Sequence, residues 1–135
     1  MTPSFAHRIA PPMLAMALVS ACKDEAQGGI AVPSGREVAL IDVITSAPGP
    51  EGATARFRFL APGLTEAEVG SSAADMQALC DGYALPRIEA MVPAPQQIVI
   101  SLSSEAVPFG EAAPDVVQFF EAFQPGAGTC TWEPF

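Results

Sequence analysis

Arg56 and Arg58 alternate with Phe57 and Phe59, in a chain with 6 basic residues against 15 acidic ones. That spacing puts two guanidinium groups on one face of an extended segment and two rings on the other. Neighbouring guanidinium groups can hold an anion, or a partner's carboxylates, bidentately. Arg87 is the third candidate for such a contact. The competing reading is that Arg56 and Arg58 pair with nearby Glu or Asp on an exposed sheet face. Carboxylates offer a second chemistry. Glu66 with Glu68, and Asp75 with Asp81, are the nearest pairs by sequence, and paired acids can run glycoside hydrolysis. No aromatic sugar platform flanks them, and a solvated acidic surface is the simpler reading.

Other chemistries are excluded by residue type. The one histidine is His7, inside a leader described below, and the one lysine is Lys23, just after it. A mature chain therefore lacks the base of a Ser-His-Asp or Cys-His nucleophile. The commonest nitrogen ligand of zinc is missing too, so no metal site is expected. No Gly-rich phosphate loop, dinucleotide turn, calcium loop or C-x-x-C pair occurs, and no cofactor is expected. A net charge of −9 speaks against nucleic acid as a partner, because that affinity comes from cations meeting phosphates. The 50% hydrophobic content and 135-residue length allow one packed domain.

The elements that must position these residues come from hydrophobic period and turn signals. Glu37–Ile44 is rich in β-branched residues and reads as a strand, with Ala39, Ile41 and Val43 facing the core. Ala47–Gly52 is a loop, and Thr54–Leu60 returns as the second strand of an antiparallel hairpin. Ser72 and Asp75 have the spacing of a helix cap. Met76, Leu79, Cys80 and Tyr83 then fall on one helical face, and Pro86 ends the helix. Residues 87–92 offer a short extended piece. Gln97–Ser103 alternates as a strand with Ile98, Ile100 and Leu102 inward. Pro108-Phe109-Gly110 is a turn. Pro114 opens a second helix, in which Val116, Phe119, Phe120 and Phe123 share a face, and Pro125-Gly126 ends it. Thr129–Glu133 is the last strand, with Cys130 and Trp132 on one face. The expected fold is α+β in the order β-β-α-β-α-β. A small antiparallel sheet of about four strands carries two amphipathic helices on one face, leaving the arginine face open.

Residues 1–21 read as an export signal: His7 and Arg8, then the apolar run Met13–Val19. That run is too short to span a bilayer, which takes about 20 apolar residues. Val19-Ser20-Ala21-Cys22 resembles the lipobox of bacterial lipoproteins, which implies cleavage before Cys22 and lipidation of its thiol. An ordinary secretion signal is the alternative, since Val19 and Ala21 also suit a small-residue cleavage site. Residues 22–30 read as a flexible tether and 31–135 as the domain. Cysteine parity favours lipidation. Three cysteines in an exported chain leave one over, and acylation of Cys22 leaves Cys80 and Cys130. These two sit on the inward faces of a predicted helix and strand, and a disulfide between them is expected. Two buried free thiols, or a redox-active pair, are the alternatives.

Several runs carry a wider resemblance: Arg56-Phe57-Arg58-Phe59, Met76-Gln77-Ala78-Leu79-Cys80, Ala84-Leu85-Pro86-Arg87, Gln97–Ser103, Val107-Pro108-Phe109-Gly110-Glu111 and Cys130-Thr131-Trp132-Glu133. The chain resembles a family of small exported alphaproteobacterial proteins of unknown function, over nearly all of its length after residue 30. That resemblance implies no activity, ligand or catalytic residue. Some members carry an acetolactate synthase label. The thiamine-diphosphate motif of that enzyme begins Gly-Asp-Gly, whereas the one Asp-Gly here, Asp81-Gly82, follows Cys80. The repeated βαββαβ pattern of its regulatory subunit is absent too, and the sequence does not support that activity.

The expectation is a cell-envelope lipoprotein facing the periplasm, or a soluble periplasmic protein if Cys22 is not acylated. Its partners would be the membrane, through the lipid anchor, and an envelope protein. The leading expectation is a non-enzymatic interaction or assembly module, with a ligand-binding module as the alternative and a carboxylate-based hydrolase third, and the three are distinguishable by shape. A convex surface without converging acids favours a non-enzymatic interaction or assembly module. A concave apolar pocket beside the arginines favours a binding module for a small anionic or peptide ligand. Two carboxylates converging in a cleft favour a hydrolase.

Overall fold

A computed structural model of the chain describes residues 29–45, 48–49 and 52–135. The proposed leader, Cys22 and most of the tether lie outside the described residues. Ile30 already belongs to the domain: its N–H donates to Val38 O at 2.7 Å, and its side chain packs on the core.

The strands are β1 (Ala39–Ile44), β2 (Pro48–Gly49), β3 (Gly52–Leu60), β4 (Gln97–Ser103), β5 (Gln118–Pro125) and β6 (Cys130–Glu133). Five of them run in the order β1-β3-β4-β5-β6, and the two-residue β2 pairs with the start of β3. The predicted hairpin is present, as β1 and β3 pair antiparallel. β3 and β4 are parallel and every other pair is antiparallel. A parallel neighbour needs a crossover, and the helical layer supplies it. A 3-10 turn at Glu66–Glu68 leads into α1 (Val69–Leu79), a π-helical turn at Cys80–Ala84 and α2 (Leu85–Ile88).

The fold is α+β, but the helix expected after Pro114 is not there, and the main sheet has five strands rather than about four. Residues 118–125 form β5, in the centre of the antiparallel half. Alternation sends Phe119 and Phe123 to the core face, while Phe120 and Ala122 pair with Ser101 and Val99 on the other. A strand apolar on both faces mimics a helical stripe, which is why i, i+3, i+4 spacing misled. Pro114 instead sits inside the turn Ala113–Val116, closed by Val116 N to Ala113 O at 3.1 Å. The fixed φ of proline serves a turn as well as a first helical turn. Helix α1 begins earlier than Ser72, after a capping box made by Thr65 and Glu68. Pro86 does not end the helical layer, because it falls in the first turn of α2, where a missing N–H costs little. Residues 87–92 are accordingly helix end and turn rather than extended chain.

The core lies between the helical layer and one sheet face. Phe57, Phe59, Ile98, Ile100 and Leu102 point into it as expected, all fully buried. Each such side chain contributes about 1.5–3 kcal/mol by leaving water. Met76, Leu79 and Cys80 meet them from the helix, and the Tyr83 ring stands edge-on to Phe59 at 5.4 Å. In β1 the expected parity breaks. The register shifts between Leu40 and Asp42, so Val38 and Val43 both reach the core although five positions apart. One extra residue, Ile41, moves the side chains after it to the opposite phase.

Candidate functional site

The second sheet face is roofed. Residues 105–116 leave β4 and return to β5 as an Ω-type loop. Its ends are tied by Ser104 N to Val117 O at 2.9 Å, and Val117 N to Ser104 Oγ at 3.1 Å. Within it, Pro108–Glu111 turns through Gly110 at φ 84°, where a side chain would be strained. This turn brings Phe109 back over the sheet.

Arg58 fastens the roof to the floor. Its Nη1 donates to Asp42 Oδ2 at 2.7 Å, its Nη2 donates to Val107 O, and its guanidinium lies 5.8 Å from the centre of the Phe109 ring. β3 and β1 place the two charges opposite each other, since Arg58 and Asp42 are register partners. With a side chain only 11% exposed, Arg58 is an internal strut rather than a surface charge.

Between roof and floor lies a groove of about 420 Å³. Arg56, Val99, Ser101 and Phe120 line it from the strands, and Val107, Phe109 and Ala112 from the loop. Phe109 and Phe120 are each half exposed at 51%. Arg56 Nε is buried without a hydrogen-bond partner among the described residues, and no ion pair there involves Arg56. The two expected readings of the arginine pair thus divide: Arg58 takes a carboxylate, and Arg56 faces the groove.

Arg87 is not part of this site. Its guanidinium stacks 3.5 Å from the Tyr83 ring centre and donates to Tyr83 O at 2.8 Å. Tyr83 packs on Phe57 and Phe59, so Arg87 belongs to the helical side of the sheet.

Three of the four candidate carboxylates, Glu68, Asp75 and Asp81, are spent on structure. Glu68 Oε2 accepts the Thr65 N–H at 2.8 Å, and Glu68 also pairs with Arg36. The Thr65 backbone bond, ahead of the Thr65 hydroxyl and Arg36, holds its pKa below the usual carboxylate value. Asp75 is buried and accepts Ser34 N at 2.9 Å and Ser34 Oγ at 2.6 Å, pinning the entry turn. Asp81 Oδ1 accepts Cys130 N at 2.7 Å, and Gln77 Nε2 donates to Cys130 O at 2.8 Å. These bonds seat β6 where Cys80 and Cys130 meet: the sulfurs are 2.16 Å apart and the Cα atoms 6.1 Å, at disulfide distance. Trp132, expected beside Cys130 in the core, is 55% exposed on the edge strand β6, and its Nε1 donates to Glu121 Oε2.

Sequence reasoning did not find Phe109, Phe120, Val99 or Ser101. The turn that delivers Phe109 was legible, but nothing local says that a loop will fold back over a sheet. Among the described residues no cluster of His, Cys, Asp and Glu could hold a metal ion, and no helix is long and apolar enough to cross a membrane.

Fold and groove together define a small α+β domain whose sheet is packed by helices on one face and roofed by a loop on the other. The chain belongs to a family of unknown function, DUF6497, whose model matches residues 13–135. No curated protein and no solved structure matches it.

Proposed function

We propose that the protein is a small ligand-binding module, exported and held at the cell envelope by a lipid on Cys22. The observation that carries the binding role is the roofed groove: concave, mostly apolar, and floored by Arg56. Its volume of about 420 Å³ falls in the range of roughly 300–1,000 Å³ common to small-molecule sites. The hydrolase reading loses support, because Glu68, Asp75 and Asp81 each hold backbone or hydroxyl partners. The envelope role is supported by Val19-Ser20-Ala21-Cys22 and by a cysteine pair suited to an oxidising compartment. An assembly role with an envelope partner is the second reading, favoured by Trp132, half exposed on the edge strand β6.

Thermal denaturation against a small-molecule collection tests the binding role. A ligand of the native state raises the melting temperature, and substituting Phe120→Glu in the groove should remove that effect. A collection in which no compound stabilises the wild-type chain contradicts the proposal. Cell fractionation tests the anchor: Cys22→Ser should move the protein from membranes to the soluble fraction. Unchanged fractionation and processing contradict lipidation.

A further inference from the structure

Resting on the reading of the groove as a ligand site, we propose that it takes a small apolar monocarboxylate, with Arg56 as the carboxylate's partner. The pairing of the charges in the groove points to the ligand's polar group. Two cations line it, Arg56 and Arg58, and one carboxylate, Glu111. Asp42 compensates Arg58 at 2.7 Å, whereas Arg56 has no ion pair among the described residues. Arg56 is therefore the one lining cation open to a carboxylate. A second negative charge on the ligand would find no such cation and would meet Glu111, with Asp42 close behind Arg58. A monocarboxylate fits that arrangement better than a phosphate monoester.

The shape of the partner group follows from the guanidinium. Its planar fork matches the two oxygens of a carboxylate. Buried Arg56 Nε, lacking a partner among the described residues, is the donor whose desolvation such an oxygen would offset. Ser101, diagonal to Arg56 across the β3–β4 pair, adds a hydroxyl to the same floor. The rest of the lining asks for an apolar body: Val99 below, Phe120 on one side, Val107 and Phe109 above.

The floor also selects a small molecule over an extended peptide. β3, β4 and β5 are interior strands with neighbours on both sides. Their backbone groups already pair, so no strand can be added there, and strand addition needs an open edge. Recognition has to come from one charge and an apolar surface, which a short aryl or alkyl carboxylate carries by itself.

Calorimetric titration of the purified full chain with 4-phenylbutyrate, its neutral analogue 4-phenylbutan-1-ol, and phenylbutyl phosphate tests this. The acid should bind at least about ten-fold tighter than either analogue. Arg56→Gln should erase that preference while leaving the alcohol's affinity unchanged. Phe120→Ala should weaken acid and alcohol alike, and it keeps the test open if the Arg56 variant does not fold. Alcohol and acid binding equally would overturn the carboxylate assignment while leaving a ligand site in place. Absence of binding by all three probes at millimolar concentration would overturn it too, and would count against the groove as a ligand site. A free-acid hexapeptide ending in Phe that binds ten-fold tighter than 4-phenylbutyrate would overturn the small-molecule assignment.

Discussion

Arg58 donates to Asp42 at 2.7 Å across the β1–β3 pair, and that single contact decides what each arginine of the Arg-Phe-Arg-Phe run does. The compensated arginine builds the groove by gripping the loop at Val107 and Phe109. The other, two residues earlier on the same face, lines the groove with no ion pair among the described residues.

The two arginines should therefore behave differently on substitution. Arg58→Ala removes a partly buried charge with three contacts and should cost about 1–3 kcal/mol. Arg56→Ala removes no ion pair and should cost at most about 0.5 kcal/mol. Urea denaturation of the two variants measures the difference. Amide exchange across residues 105–116 should quicken in Arg58→Ala alone. Equal stability losses, or an unchanged loop, would show that Arg58 is not the strut.

Cys80→Ser should lower stability by about 2–5 kcal/mol. That is a large share of the roughly 5–15 kcal/mol a domain of this size holds. Mass mapping without reduction should recover the Cys80 and Cys130 peptides joined. Recovery of both as free thiols contradicts the pairing.

Asp81→Ala should destabilise by about 1–3 kcal/mol with the disulfide intact, because the buried end of β6 loses the acceptor for Cys130 N. Stability equal to wild type would mean that the sulfur link alone seats the strand.

Glu68 predicts a pH effect. Its folded-state pKa is depressed below 4.5, chiefly by the Thr65 N–H. Between the folded and unfolded values the unfolded chain holds more protons, so stability rises with pH there. Its contribution is fully present above the unfolded value and is lost as pH falls through the folded one. Glu68→Gln should flatten the stability curve below pH 4.5. An unchanged acid slope would refute the capping role.

Much of this was written in local pattern. Period-2 alternation located β3 and β4 and put Phe57, Phe59 and Ile100 inside, and cysteine parity singled out Cys80 and Cys130. What failed was decided at longer range. Phe119 packs on the core and Phe120 lines the groove, so both faces of β5 carry large apolar side chains and its period of two does not show. Ser72 and Asp75 match a capping box as well as Thr65 and Glu68 do. Asp75 is instead drawn into the core by Ser34, 41 positions away. The groove was half legible: the alternation exposed Arg56 and Arg58, but its roof depends on a return path that no short motif encodes.

The most direct measurement is a map of backbone amide shifts in the full chain as 4-phenylbutyrate is added. Shifts confined to the groove, at Arg56, Val99, Ser101, Phe109 and Phe120, are the predicted result. Shifts clustered around Arg87 and Tyr83, or on the β6 edge at Trp132, would place binding elsewhere and contradict the roofed sheet face as the functional site.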